Sequence, residues 1–377
     1  MDNILDVLNA HSKIYIFGAA SRAKTFKGYV NMLFPKLEIT GYLVDDEEKN
    51  DSRIAGVPVI HIGRISKEQP VKLQTKVPVI IATKGIFHQR IGVLLTDLGF
   101  DNVIPVSVDV DNCLRNAYVR KFFAKENREF VKLENIAGGT SQAVIGNMPD
   151  ACIYMAKSIY DKELETPYII PKYEKPLQVG AALTDRRLGD DILTDDKGEN
   201  ISERNRQYSE VTGLYWVWKN CYHDIAGLSH YRRHFILPEN WIEIMWQKNI
   251  DAIVPVPTYV YPSVGDNYKE RHAPEDWDFL LQYLREKEKW TYNAAIQVFS
   301  GNLFLPGNMF IVRWKVLEEL CSWMFPILDA VRVNGGVKED VYLNRYVGAV
   351  SERLVTLFFE LHKDKYKIVY ADRRFLR

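Results

Sequence analysis

The sequence predicts an α/β protein of two domains. Three observations lead there: 377 residues, more than one ordinary core takes up; short apolar runs alternating with amphipathic stretches from residue 13 to about 106; and the same alternation starting afresh at ACIYMA. In the first stretch KIYIFG, EITGYLVDD, VPVIIAT and NVIPVS read as strands, and AASRAKTFKGYVNMLF and IFHQRIGVLLTDLGF as helices. Strands separated by helices favour a parallel sheet with right-handed crossovers, so residues 1–110 are expected to form a Rossmann-like parallel-sheet domain. Residues 111–149 read as a linker, helical through LRNAYVRKFFAKENREFVKLENIA and loop-like through AGGTSQAVIGNMPD, with the second domain at 150–377.

In the second domain ACIYMA and KYEKPLQVGAAL lead to an acidic loop, GDDILTDDKGENIS. A helix is expected from Ser202 to about Asn220, with Tyr208, Val211, Tyr215 and Trp218 on one buried face. DIAGLSHYRRHFIL reads as a strand running into a basic turn, DAIVPVP as a buried strand, and FSGNLFLPGNMFIV as paired strands. WKVLEELCSWMFPIL and much of KEDVYLNRYVGAVSERLVTLFFEL read as helices, and KIVYA as a last strand.

Composition narrows the function. Lys+Arg and Asp+Glu both number 49, so no global field draws the chain to nucleic acid. Cys113, Cys152, Cys221 and Cys321 lie far apart, which points to neither a zinc site nor a disulfide framework. MDNILDVLNAHSK lacks the basic and apolar stretches of a secretory leader, and no run of 18 apolar residues occurs, so a cytoplasmic chain is expected. The 21 Tyr and 8 Trp suit an aromatic core and also the apolar faces of sugar rings.

The first strand-to-helix turn, Gly18-Ala19-Ala20-Ser21-Arg22-Ala23, stands where a dinucleotide fold carries G-x-G-x-x-G. Only Gly18 keeps its place, and Ala20 holds a phosphate farther from the backbone. Asp45 and Asp46 end the second strand, where an acid meets ribose hydroxyls. Gly18 and Asp45 are the nucleotide-binding candidates of this domain.

The stretches PLQVGAA, GENISERNRQYSEVTGLYWVWKN, IAGLSHYRRHF, GNMFIV and VSERL span roughly residues 151 to 370. Together they resemble a bacterial family of glycosyltransferases from capsular and lipopolysaccharide synthesis loci, long catalogued as a domain of unknown function. The front domain resembles the nucleotide-binding front domains of other polysaccharide-synthesis enzymes. The resemblance implies a GT-A-like α/β domain that takes a sugar from a nucleotide-sugar, a UDP-hexose of galactose type, with no further cofactor. It implies a lipid-linked oligosaccharide as acceptor and peripheral association with the inner face of the plasma membrane. The alternative is a non-catalytic nucleotide-sugar sensor or scaffold in a polysaccharide assembly complex.

Glycosyl transfer needs a counter-charge for the leaving diphosphate, a base for the acceptor hydroxyl and a pocket that orients both sugars. Many GT-A enzymes meet the first need with Asp-x-Asp and a divalent cation. Here the comparable place carries Ser229-His230-Tyr231-Arg232-Arg233, so His230, Arg232 and Arg233 are expected to hold the diphosphate without metal. Asp190, Asp191, Asp195, Asp196 and Glu199 are the counter-candidate, a hard-cation loop. Asn200, Ser202 and Asn205 are candidates for nucleotide or sugar contact, and Trp216, off the expected buried stripe, for stacking. Asp340 and Glu352 are the candidate bases, and His272 and Asp276 are placed near the acceptor.

Overall fold

The computed structural model describes residues 4–45, 50–62, 75–136, 148–165 and 167–376. Asp46 and residues 137–147 of the expected linker lie outside the described residues. The chain divides into two compact units, one comprising Met1–Glu129 with Tyr259–Tyr261, the other Phe130–Thr258 with Pro262–Arg377.

The first unit is built on β1 (Lys13–Phe17), β2 (Glu38–Val44), β3 (Arg53–Ile54), β4 (Val57–His61), β5 (Val79–Ile81) and β6 (Val103–Pro105), in the order β3-β4-β2-β1-β5-β6. All pairs are parallel except β3 on β4. Central β1 is buried from Ile14 to Phe17, on both faces, as a parallel strand covered by helices must be. β4 did not stand out in the sequence, and every one of its residues is only half-buried. Helix Val108–Lys125, expected partly within the linker, belongs to this unit and buries Leu114, Tyr118, Val119 and Phe123. Ser107 caps it, its Oγ accepting from Val110 N at 3.2 Å.

The second unit carries β7 (Ala151–Lys157), β8 (Glu174–Gln178), β9 (Leu193–Thr194), β10 (Ile225–His230), β11 (Arg233–Phe235) and β12 (Ala252–Pro255). After β13 (Thr258–Tyr259) and β14 (Leu303–Phe304), which lie off this sheet, come β15 (Phe310–Arg313), β16 (Ile368–Ala371) and β17 (Arg373–Phe375). The order is β16-β12-β15-β10-β7-β8-β9. β10, β7, β8 and β9 run parallel, and β15 runs antiparallel between β10 and β12. FSGNLFLPGNMFIV therefore does not fold into a strand pair of its own. Its second half is the inserted antiparallel strand β15. Beneath the sheet Ile153, Ile225, Ile253, Ile311, Trp241 and Met245 form one core cluster.

The helix expected from Ser202 to Asn220 is broken. A 3₁₀ turn at Ser202–Arg204 and a single turn at Asn205–Tyr208 end at Ser209, whose φ of 53° and ψ of −136° stop the spiral before Val211–Asn220 begins. What holds this segment to the sheet is a carboxylate. Asp195, with no solvent exposure, accepts from Gly180 N and Ala181 N at 3.0 Å each, from Thr212 Oγ1 at 2.7 Å, and from Ser202 Oγ. Asp195→Ala would leave two backbone donors and the Ser202 hydroxyl with no acceptor, while the Thr212 hydroxyl keeps the Ser209 carbonyl at 3.2 Å. Each buried unsatisfied group costs about 1–3 kcal/mol, so urea unfolding should show a loss of roughly 3 kcal/mol or more. A loss under about 1 kcal/mol would mean that these donors find other partners.

Candidate functional site

Parallel strands β7, β8 and β10 end on one side of the sheet, where a cleft of about 860 Å³ opens. Its floor carries Ala156, Val179, His230, Tyr231, Arg232 and Arg233, and its walls Asp161, Asn205, Arg206, Ser209, Glu210, Lys338, Glu339 and Arg345. A ligand site beyond the carboxyl ends of parallel strands is the usual placement in open α/β sheets.

The basic turn is fixed from beneath. His230 pairs with Arg233 across the β10–β11 hairpin. Buried His234 contacts Glu174 Oε2 at 3.0 Å through Nδ1 and gives Nε2–H to the Tyr231 carbonyl at 3.1 Å. His230 donates from Nε2 to the carbonyl of Gly307. Among the described residues, by contrast, neither arginine has a carboxylate partner. Arg232 reaches the Lys162 carbonyl at 3.5 Å, and its buried Nε has no hydrogen-bond partner among the described residues. Arg233 is exposed to the cleft. The acidic loop that might have neutralised them is engaged elsewhere, with Asp195 inside the fold and Asp196 bonded to Arg187 at 3.0 Å. Among the described residues no group of three or more His, Cys, Asp and Glu side chains is placed to hold a metal ion.

Other sequence candidates separate. Asn205 lines the cleft and donates to Ser209 O and Thr212 Oγ1 at 2.7 and 3.0 Å. Ser202 is fully buried against Asp195 and cannot touch a ligand. Asn200 closes its own turn, donating to Gly198 O and accepting from Ser202 N. Trp216 is a correction. Because Ser209 resets the helical phase, Trp216 turns inward, 9% exposed, with Nε1 donating to Lys197 O at 2.7 Å and its ring edge-on to Tyr154. Tyr215 and Trp218, expected in the core, are the half-buried pair, packed on Phe325.

The two candidate bases are occupied. Asp340 is exposed, accepts from Leu343 N at 2.7 Å in its own turn, and is not part of the cleft wall, whereas its neighbour Glu339 is. Glu352 accepts from Gly307 N at 2.6 Å and pairs with Arg353 at 2.9 Å. Asp276 is buried against Lys338 at 3.0 Å, and burial pushes its carboxyl up despite that partner. The sequence reading passed over Glu210, which follows Ser209 in the stretch NRQYSEVTGLYW. Its carboxylate is 14% exposed in the cleft wall, with Oε1 accepting from Asn308 Nδ2 at 2.8 Å and standing 3.9 Å from His230 Nε2. Two non-glycine residues of positive φ, Ser209 at 53° and Asn308 at 50°, flank it. Such backbone costs of order 1–3 kcal/mol, more for Ser than for Asn, and persists where surroundings over-determine it.

In the first unit a cavity of about 420 Å³ lies at the ends of β1, β2 and β5, lined by Gly18, Asp45, Thr83, Lys84 and Arg90 among others. Gly18 has φ of 107°, and a Cβ there would meet Thr83 Cγ2 at 3.0 Å. Asp45 is bonded to Arg90 at 2.7 Å.

His272 stacks on Tyr342 at 5.2 Å, and its buried Nδ1 has no hydrogen-bond partner among the described residues. Burial first, then Arg353, Arg271 and Arg345, bring its pKa down to about 4 from 6.5. The unfolded imidazole takes a proton near pH 6.5 and the folded one does not. Stability should therefore fall as pH drops from about 6.5 toward 4. Melting curves at pH 7 and pH 5 should show a smaller drop for His272→Gln than for the parent, and equal drops would remove His272 as the cause.

Comparison with known proteins places this geometry. No curated protein matches the chain. A solved structure described as the apo form of WbbM, a bifunctional glycosyltransferase, shares the fold with a TM-score of 0.51 at 24% identity, over 60% of this chain and 45% of that one. The chain thus spans less than half the length of that protein. A family profile matches residues 159–364, more than half of the chain and all of the cleft's lining but Ala156, Ser158 and Phe375. The chain belongs to the family described as a domain of unknown function (DUF4422).

Proposed function

We propose that the second unit is a glycosyltransferase that moves a sugar from a nucleotide-sugar, a UDP-hexose of galactose type, to a growing capsular or lipopolysaccharide glycan on a lipid carrier. The observation that carries the reading is a pair of arginines, Arg232 and Arg233, with no carboxylate partner among the described residues, on the floor of a cleft at the carboxyl ends of parallel strands. A guanidinium buried at Nε without an acceptor is costly unless an anion arrives, and guanidinium forks suit phosphate oxygens. The cleft volume suits a nucleotide-sugar. Likeness of fold to WbbM, itself described as a glycosyltransferase, supports the same reading. Among the described residues no helix is long and apolar enough to cross a membrane, so work on a lipid-linked acceptor would be done from the membrane surface.

In this reading His230, Arg232 and Arg233 meet the charge that develops on the leaving diphosphate, and no divalent ion is needed. A screen for release of UDP or GDP from their hexose conjugates tests it, since donor hydrolysis needs no acceptor. Turnover is expected to persist in excess EDTA. Arg232→Ala should lower it by an amount equal to about 2–4 kcal/mol, with Lys restoring part. Activity abolished by EDTA and restored by Mn²⁺ would refute metal independence.

A further inference from the structure

We propose that Glu210 is the catalytic carboxylate that takes the proton from the acceptor hydroxyl. The inference rests on the transferase reading above. Three carboxylates line the cleft: Asp161, Glu210 and Glu339. Asp161 accepts from Ser158 N at 2.7 Å and closes its own turn. Glu339 stands exposed on the rim. Glu210 alone is both largely withdrawn from water and aimed. Asn308 Nδ2 holds Oε1 at 2.8 Å, and no described group hydrogen-bonds Oε2. One oxygen positions the group and the other is left for a substrate.

The backbone is built for this placement. Ser209 holds its positive φ because Asn205 O accepts its N–H and Asn205 Nδ2 bonds its carbonyl, both at 2.7 Å, while Arg345 Nε bonds its Oγ at 3.0 Å. Gly348 leaves room, since a Cβ there would lie 3.0 Å from Tyr208 O and 3.2 Å from Ser209 Oγ. Asn308, with no exposure, is fixed in turn by Ser351 Oγ at 3.0 Å and by its bond to Gly348 O. Strained residues that several neighbours hold in place, on both sides of one cleft carboxylate, are what a preorganised catalytic group requires. Among the described residues the carboxylate's one hydrogen bond comes from the Asn308 amide, while His230 Nε2, 3.9 Å away, gives its own hydrogen bond to the Gly307 carbonyl.

The step balances. The acceptor O–H bond breaks and its proton passes to Glu210 Oε2. The acceptor oxygen bonds the anomeric carbon, and the bond from that carbon to the phosphate oxygen breaks with its electron pair moving onto the diphosphate beside His230, Arg232 and Arg233. A single displacement of this kind inverts the anomeric centre.

The test uses the full chain, UDP- and GDP-hexoses as donors and p-nitrophenyl glycosides as acceptors. Glu210→Gln keeps an oxygen for Asn308 and removes the proton acceptor, so transfer should fall by about two to four orders of magnitude. UDP binding, read by thermal shift, should not change. Glu210→Ala should regain at least about tenfold in activity with added formate, a rescue that a merely structural role does not show. Transfer by Glu210→Gln within threefold of the parent, or a loss confined to Asp340→Asn or Glu352→Gln run beside it, would overturn the assignment. A sugar found covalently attached to Glu210 would overturn it as well, in favour of a nucleophile. If the parent chain neither binds UDP nor releases it from any donor, the transferase reading falls and takes this inference with it.

Discussion

A single buried carboxylate governs how the second unit presents its cleft. Asp195 lies at the end of β9 with no access to water, and its four donors come from two places: the turn after β8 and the segment that leads into helix Val211–Asn220. A charge there is tolerable only because every lone pair is answered, and for the same reason none of those donors can wander. The turn it fixes includes Gly180, at φ of 67°, where a Cβ would collide with the side chain of Asn205. The close approach of β8 to Asn205, and so the path of the chain through Ser209, follows from this one group.

A second network holds the opposite wall. Glu352 accepts Gly307 N, Gly307 O accepts His230, and Ser351 holds Asn308 against Glu210. Arg353, almost wholly buried, pairs with Glu352 and lies over the rings of Tyr268 and Phe304. Burial holds its guanidinium below the usual arginine range, with Glu352 the main opposing influence. The pair is therefore spent on geometry. Glu352 bonds the backbone of Gly307 and is not among the residues that line the cleft.

The strands were legible because their signal is local. KIYIFG, EITGYLV, ACIYMA, IAGLSH and KIVYA are short apolar runs, and each forms a strand buried along most of its length. The cluster at His230, Arg232 and Arg233 was legible because charge at the end of an apolar strand has few structural uses. What the sequence hid depends on phase and on long-range partners. A break at one serine moved Trp216 from the expected exposed face into the core and brought Tyr215 and Trp218 partway out. Ser202 read as a helix start and ligand contact and Asp195 as one acid of a loop, whereas their side-chain partners lie 7 to 20 positions away. Glu210 fell in the middle of the expected helix and drew no notice, and only the fold puts Asn308, 98 residues on, against it. The positive φ at Ser209 has no residue-type signature at all, since glycine or asparagine would have announced it.

The arrangement solves a problem of charge. A transferase of the proposed kind needs cations for its leaving group and a carboxylate for its nucleophile inside one cleft. Left free, a flexible Glu and two unpaired arginines would close on each other and cancel, because an ion pair at contact distance gains strongly where water is scarce. The cleft prevents this by rigidity. Glu210 starts a helix whose direction is set by Thr212 on Asp195, its side chain is bonded by Asn308, and the intervening strain at Ser209 is locked from both sides. The basic turn is locked separately, through His234 to Glu174 and through His230 to Gly307. Among the described residues neither arginine pairs with Glu210, each group being anchored to a different part of the sheet, and in the proposed reading the substrate bridges them.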